Sequence, residues 1–177
     1  MKTLILLFHP NLEGSRVNQA FRAAVENQHD DNITIRDEYA LYPDGNIDVT
    51  AEQKAVESAN RIIFQFPFYW YSAPSLLKKW EDVVLLYGWA YGSTGNALHG
   101  KQLGVAVSAG APVENYRPDG SVNYTIKALL APFKATSNMI GTKFINPFIT
   151  PGVMQNLDED QLARRAQEYV EYVTKGE

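Results

Sequence analysis

The run Thr3 to Phe8 (TLILLF) is of strand length and has none of the polar alternation of a half-exposed strand. A strand of that kind needs cover on both faces, which sets it in the middle of a sheet flanked by helices. It stops at His9-Pro10, and Ser15 then caps a helix in which Val17, Ala20, Phe21, Ala24 and Val25 recur at helical spacing. This unit of strand, loop and helix repeats along the chain. Asn32 to Tyr39 alternates as a half-exposed strand, Tyr42-Pro43-Asp44-Gly45-Asn46 turns, and Thr50-x-x-Gln53 has the form of a capping box for the next helix. Arg61 to Phe66 is a third strand ended by Pro67, and Pro74 opens a helix through Leu76, Leu77, Trp80, Val83 and Val84. Gln102 to Ser108 forms strand four between two long loops, Gly88 to Gly100 and Gly110 to Gly120. A helix over Val122 to Met139, a strand over Thr142 to Thr150, and a helix over Asp158 to Val173 complete the pattern.

Strands alternating with helices give an α/β fold whose parallel sheet is joined by right-handed crossovers. Five such units match a flavodoxin-like doubly wound five-stranded sheet of order 2-1-3-4-5, with helices on both faces and one domain spanning 1–177. Ligands of such sheets bind at the carboxyl ends of the strands. The loops 9–18, 67–74 and 108–120 are therefore expected to meet.

Composition narrows the chemistry available there. The chain has no cysteine, so thiol nucleophiles, disulfides and iron–sulfur clusters are excluded and any redox chemistry must come from a cofactor. Sixteen basic against twenty acidic residues give a net charge of −4, which argues against a nucleic-acid surface. The 3 histidines stand singly, and no metal site is expected. No apolar stretch approaches the ~20 residues of a membrane span, and the expectation is a cytoplasmic protein.

The first loop delivers backbone N–H groups, Ser15, Arg16 and Asn18 to a helix N-terminus, a suitable place for a phosphate. It has neither a P-loop nor a dinucleotide fingerprint, so a mononucleotide fits better. The second loop sets four aromatics in succession, Phe68, Tyr69, Trp70 and Tyr71, where a strand has just ended. A flat conjugated ring or a subunit partner would use such a set. The third, Ser108-Ala109-Gly110-Ala111, is small enough to let backbone approach a ligand closely.

Three motifs, in order, carry a resemblance over essentially the whole chain. They are His9-Pro-x(4)-Ser15-x-x-Asn18, Gln65-Phe-Pro-x-x-Trp-Tyr-Ser-x-Pro before Leu76-Leu-Lys-x-Trp80, and Gly88-Trp-Ala-Tyr-Gly-x-x-Gly-x-Ala-Leu-His-Gly-Lys101. Together they resemble the flavodoxin-like NAD(P)H:quinone oxidoreductases, a family that takes in DT-diaphorase, general stress NAD(P)H oxidoreductases and the ancillary flavoproteins of glutathione-gated potassium efflux systems. The resemblance implies a non-covalent flavin, FMN or alternatively FAD, with NAD(P)H as co-substrate and a quinone or similar small molecule as acceptor. By the same resemblance His9, Ser15, Arg16, Val17 and Asn18 take the phosphate and ribityl positions. Phe68, Tyr69, Trp70 and Tyr71 take the isoalloxazine loop. Ser108, Ala109, Gly110 and Ala111 stand where relatives carry Thr-Thr-Gly-Gly, two of them departing from it, and Tyr116 is a donor to bound substrate without the histidine that follows its counterpart.

The resemblance further implies a homodimer with the flavin near the interface and two-electron transfer; because a chain of this length has no second nucleotide domain, nicotinamide and acceptor are expected to share one site in ping-pong order. The alternatives are a regulatory flavoprotein beside a membrane potassium efflux system, peripheral to the inner face of the membrane, and a flavodoxin-type electron carrier.

Overall fold

The computed structural model describes residues 1–155 and 157–175. Its sheet comprises β1 (Thr3–Leu7), β2 (Ile33–Asp37), β3 (Arg61–Pro67) and β4 (Gln102–Ser108), with β5 (Lys143–Phe144) and β6 (Phe148–Thr150) sharing the last position. The order is 2-1-3-4-5, every pairing is parallel, and the doubly wound flavodoxin-like expectation holds. β1 and β3 are buried along their whole length, as unalternating strands in the middle of a covered sheet must be.

Two apolar layers enclose the sheet. On one face α3 (Val49–Ser58), α4 (Ser75–Val84) and α6 (Ala131–Met139) pack around Trp80, whose ring meets Phe8 and Phe64 edge-on at 6.3 and 5.5 Å. On the other, α1 (Arg16–Glu26) and α7 (Glu159–Lys175) bury Phe21, Phe148 and Tyr169, with Phe21 stacked on Tyr169 at 4.8 Å. Burying each such ring contributes about 2–3 kcal/mol. Arg61, wholly buried at the start of β3, donates to Gln102 Oε1 at 2.7 Å and to the Val173 carbonyl at 2.8 Å. That seats a cation at the carbonyl end of α7, where the helix dipole favours it.

Four local expectations are corrected. β2 stops at Asp37, whose carboxylate caps the short helix α2 (Glu38–Leu41) by accepting from Ala40 N at 3.2 Å. The cap of α3 is Asp48, accepting from Ala51 N at 3.0 Å, and Thr50 lies inside the helix. The helix expected over Val122 to Met139 begins at α5 (Ile126–Leu129) and restarts as α6, because Pro132 has no N–H with which to continue the first helix. The strand expected over Thr142 to Thr150 is split into β5 and β6, since Pro147 cannot donate to the ladder with β4. Among the described residues no helix is long and apolar enough to cross a membrane.

Candidate functional site

The carboxyl ends of β1, β3 and β4 open into one cavity of about 470 Å³. It gathers His9, Ser15, Arg16, Val17 and Asn18 from the first loop, Phe68 and Tyr69 from the second, and Ser108 and Gly110 from the third. Its size falls in the range of small-molecule sites. The three loops therefore converge as their topology requires.

The first loop is shaped for an anion. Asn11 accepts from Gly14 N through its side chain at 3.2 Å, and a Cβ at Gly14 would lie 2.8 Å from Asn11 Nδ2, so glycine permits this tight turn. Ser15 then caps α1, its Oγ accepting from Asn18 N at 3.3 Å. His9 Nδ1 accepts from Asn11 N at 3.1 Å, which leaves the proton on Nε2 as a donor. Burial lowers the His9 pKa, so the ring is neutral at pH 7. Arg16 lines the cavity, but its guanidinium is tied to the Leu157 carbonyl and, at 2.5 Å, to Glu159 Oε1. A phosphate would compete with that carboxylate.

The second loop is a tight turn. Tyr69 and Tyr71 are half exposed and Trp70 is 92% exposed, so the ring stands in solvent. Trp70 and Tyr71 do not line the cavity but project beside it. Tyr116 is only 7% exposed, packs its ring on Phe68 at 6.4 Å and is not itself one of the cavity-lining residues. Burial, with the Tyr71 phenol nearby, raises its pKa.

The third loop is zipped to the segment after β6. Ala109 N donates to the Thr150 carbonyl at 2.9 Å, Gly152 N to the Ala111 carbonyl at 2.8 Å, and Val153 N to the Ala109 carbonyl at 3.1 Å. Ala109 is thus fully buried with its N–H spent, and cannot serve as a donor to a ligand. Among the described residues the N–H groups of Gly110 and Ala111 have no such partner. The zipper also carries Val153 and Met154 into the cavity wall, and a Cβ at Gly110 would approach Met154 Sδ to 2.8 Å. Sequence reasoning missed these two residues, because the segment bears no glycine-rich or aromatic signature. Asn11, Gly14 and Pro67 also line the site, and all three stand inside the loops already singled out.

The profile of the flavodoxin-like fold family matches residues 1–173. The chain belongs to that family. General stress protein 14 of Bacillus subtilis is 53% identical over 173 residues, which are 97% of this chain and 98% of that protein. The ancillary protein KefF of a glutathione-regulated potassium-efflux system in Salmonella typhimurium is 42% identical, covering 94% of this chain and 92% of its own. Among solved structures, the general stress protein 14 of Treponema denticola in complex with FMN is 41% identical, covers 100% of both chains and superposes with a TM-score of 0.91. An NADPH-quinone reductase from P. pentosaceus is 34% identical, with a TM-score of 0.89 over 98% of both chains.

The residues present suit a flavin mononucleotide. A helix N-terminus with a serine cap answers a phosphate. The uncommitted N–H of Gly110 answers a carbonyl oxygen, and Phe68 and Tyr69 answer a flat ring, whereas Ala111, expected in the same loop, does not line the cavity.

Proposed function

We propose that this protein is an FMN-dependent NAD(P)H oxidoreductase that passes two electrons to a quinone or a related acceptor. The observation that carries the reading is the joining of an anion cradle and an aromatic wall in one cavity, within a family that includes an FMN complex at 41% identity. Bound FMN would supply the hydride chemistry, and the protein the binding, orientation and electrostatics. Ser15, His9 Nε2–H, Arg16 and the α1 N-terminus would hold the phosphate and polyol. Val17, Phe68 and Tyr69 would flank the ring, with Trp70 and Tyr71 screening its open side. The N–H of Gly110 would stabilise negative charge that builds on a pyrimidine carbonyl. Tyr116 would donate to an acceptor resting on Phe68. FMN is preferred to FAD on the strength of the Treponema complex.

Nicotinamide and acceptor are proposed to use the same face in turn, giving ping-pong kinetics. Exposed apolar side chains at Trp70, Leu86, Tyr87 and Met139 are surface that a second copy would cover in a homodimer, which sedimentation would detect. A second reading, regulation of a potassium efflux transporter from the cytoplasmic side, rests on the identity to KefF, and capture of such a transporter from native membranes tests it.

The central test is anaerobic stopped-flow mixing of FMN-loaded protein with NADH or NADPH, then with a soluble quinone. Bleaching of the flavin band followed by rapid recovery is expected. If FMN binds and neither nucleotide bleaches it, the oxidoreductase reading fails.

A further inference from the structure

A buried polar chain runs from α7 to the mouth of the cavity. Tyr169 Oη donates to Gln65 Oε1 at 2.8 Å. Gln65 Nε2 donates to Asn18 Oδ1 at 3.1 Å and to the Asn18 backbone carbonyl at 3.4 Å. Asn18 Nδ2 in turn donates to Ser15 Oγ and to Ser108 Oγ, each at 3.0 Å. Tyr169, Gln65, Asn18 and Ser108 are all buried, at 0–5% exposure.

The direction of this chain is forced. The Tyr169 hydroxyl, donating at 2.8 Å, holds the Gln65 oxygen towards α7, and the Asn18 backbone carbonyl, which only accepts, draws the Gln65 amide nitrogen at the longer 3.4 Å. That nitrogen then requires the Asn18 side-chain oxygen opposite it, and both Asn18 amide hydrogens go to the serines. Ser15 Oγ accepts a second time, from Asn18 N, so both its lone pairs are engaged and its own hydrogen points elsewhere. Ser15 and Ser108 both line the cavity. Burial holds the Tyr169 phenol well above its ordinary pKa, so this donor stays protonated at physiological pH.

We propose that Tyr169 and Gln65 are positioning residues which, through Asn18, hold the hydroxyls of Ser15 and Ser108 as donors into the cavity and so favour a ligand with an anionic end. The inference rests on the FMN reading above and deepens it. Neither residue touches the ligand. What they set is which way two hydroxyl protons face.

The measurement is the ratio of FMN to riboflavin affinity, read from quenching of flavin fluorescence, with inorganic phosphate as a competitor. Tyr169→Phe keeps the stacked ring and removes the donor, and it is expected to weaken FMN by about tenfold while changing riboflavin by less than about twofold. Gln65→Glu, an acceptor-only side chain when ionised, would turn Asn18 around and the serine hydrogens inwards, with a larger loss of the same ratio. Phosphate should compete less well in both. Tyr172→Phe alters a buried phenol on the same helix outside the chain, and should leave the ratio unchanged.

A Tyr169→Phe protein that keeps the wild-type ratio overturns the proposal, as does an equal loss in Tyr172→Phe, which would mark a packing effect. Should the wild-type protein bind neither flavin, the FMN reading itself fails and this inference with it. Wild-type preference for FMN that survives both chain variants defeats the inference alone.

Discussion

Tyr69 and Ser72 exchange both backbone hydrogen bonds, Tyr69 N to the Ser72 carbonyl at 3.1 Å and Ser72 N to the Tyr69 carbonyl at 3.0 Å. The two residues between them, Trp70 and Tyr71, have φ of 50° and 62°. This is the geometry of a type I′ turn, whose central positions are ordinarily glycine or asparagine. Two bulky aromatics in the left-handed region cost about 1–2 kcal/mol each. The turn holds them there at the edge of the cavity, which is how strain is commonly distributed at a binding site.

Trp70→Asn should therefore raise stability, by about 1 kcal/mol, because asparagine tolerates the left-handed region and no exposed indole is lost from a packed site. For a chain of this size that is a rise of about 2–4 °C in Tm. Turnover with NAD(P)H and quinone should fall in the same variant. Calorimetry and steady-state rates check the pair; a drop in Tm would remove strain from the account of this turn.

The parts of the molecule legible in the sequence are those governed by local pattern. TLILLF, the Ser15 cap and the α7 face of Leu162, Ala166, Tyr169, Val170 and Val173 follow from burial periodicity and capping chemistry. The breaks at Pro132 and Pro147 were present in the residues too, and a proline weighs more in a helix interior or a ladder than the apolar pattern around it. What local pattern does not contain is partnership between distant segments. Arg16 stands beside the Ser15 cap in sequence, yet its guanidinium is held by residues 141 and 143 positions away. Gln65 and Tyr169 are separated by 104 positions and meet only because β3 and α7 are adjacent in space. Ala109 reads as one more small loop residue until Thr150 takes its N–H.

The Arg16–Glu159 pair predicts a gain of function. Both partners are substantially exposed, with side chains 43% and 87% accessible, so the pair adds little to stability. Glu159→Gln should free the guanidinium and remove a negative charge from the anion cradle, tightening FMN by about two- to fivefold. Arg16→Ala should weaken it. The Glu159→Gln gain should shrink as salt is raised from low to about 1 M, where screening is short-ranged. Fluorescence titrations at two ionic strengths read both effects, and unchanged affinity in Glu159→Gln would mean that Arg16 plays no part in phosphate binding.

Tyr116→Phe separates a substrate donor from a support. The ring contact with Phe68 survives the change, so FMN affinity should stay within about twofold and Tm within a few degrees. If the hydroxyl donates to the acceptor, KM for quinone should rise while the rate of reduction by NAD(P)H is unaffected. A variant indistinguishable from wild type in both half-reactions would leave Tyr116 as packing behind the aromatic turn.

Glu38 carries a pH prediction. It is wholly buried beside β2, 3.4 Å from Arg36 Nε, but Arg36 is already engaged by Glu52, and Tyr42 and Trp80 also donate to the Glu52 carboxylate, at 2.7 and 2.8 Å. Burial, and then the neighbouring Glu52 charge, push the Glu38 pKa up to about 8. The unfolded chain releases this proton near pH 4.5 while the folded one keeps it, so the folded state binds more protons between those limits. Stability from this group is then fully present below pH 4.5 and is lost as pH rises towards 8, at no more than about 1.4 kcal/mol per pH unit. Glu38→Gln, neutral at every pH, should match wild type near pH 4.5 and grow progressively more stable than it up to pH 8. Urea unfolding at several pH values measures the difference. A gap that stays constant, or that narrows as pH rises, would show that Glu38 is ionised in the folded protein and that Arg36 serves both carboxylates.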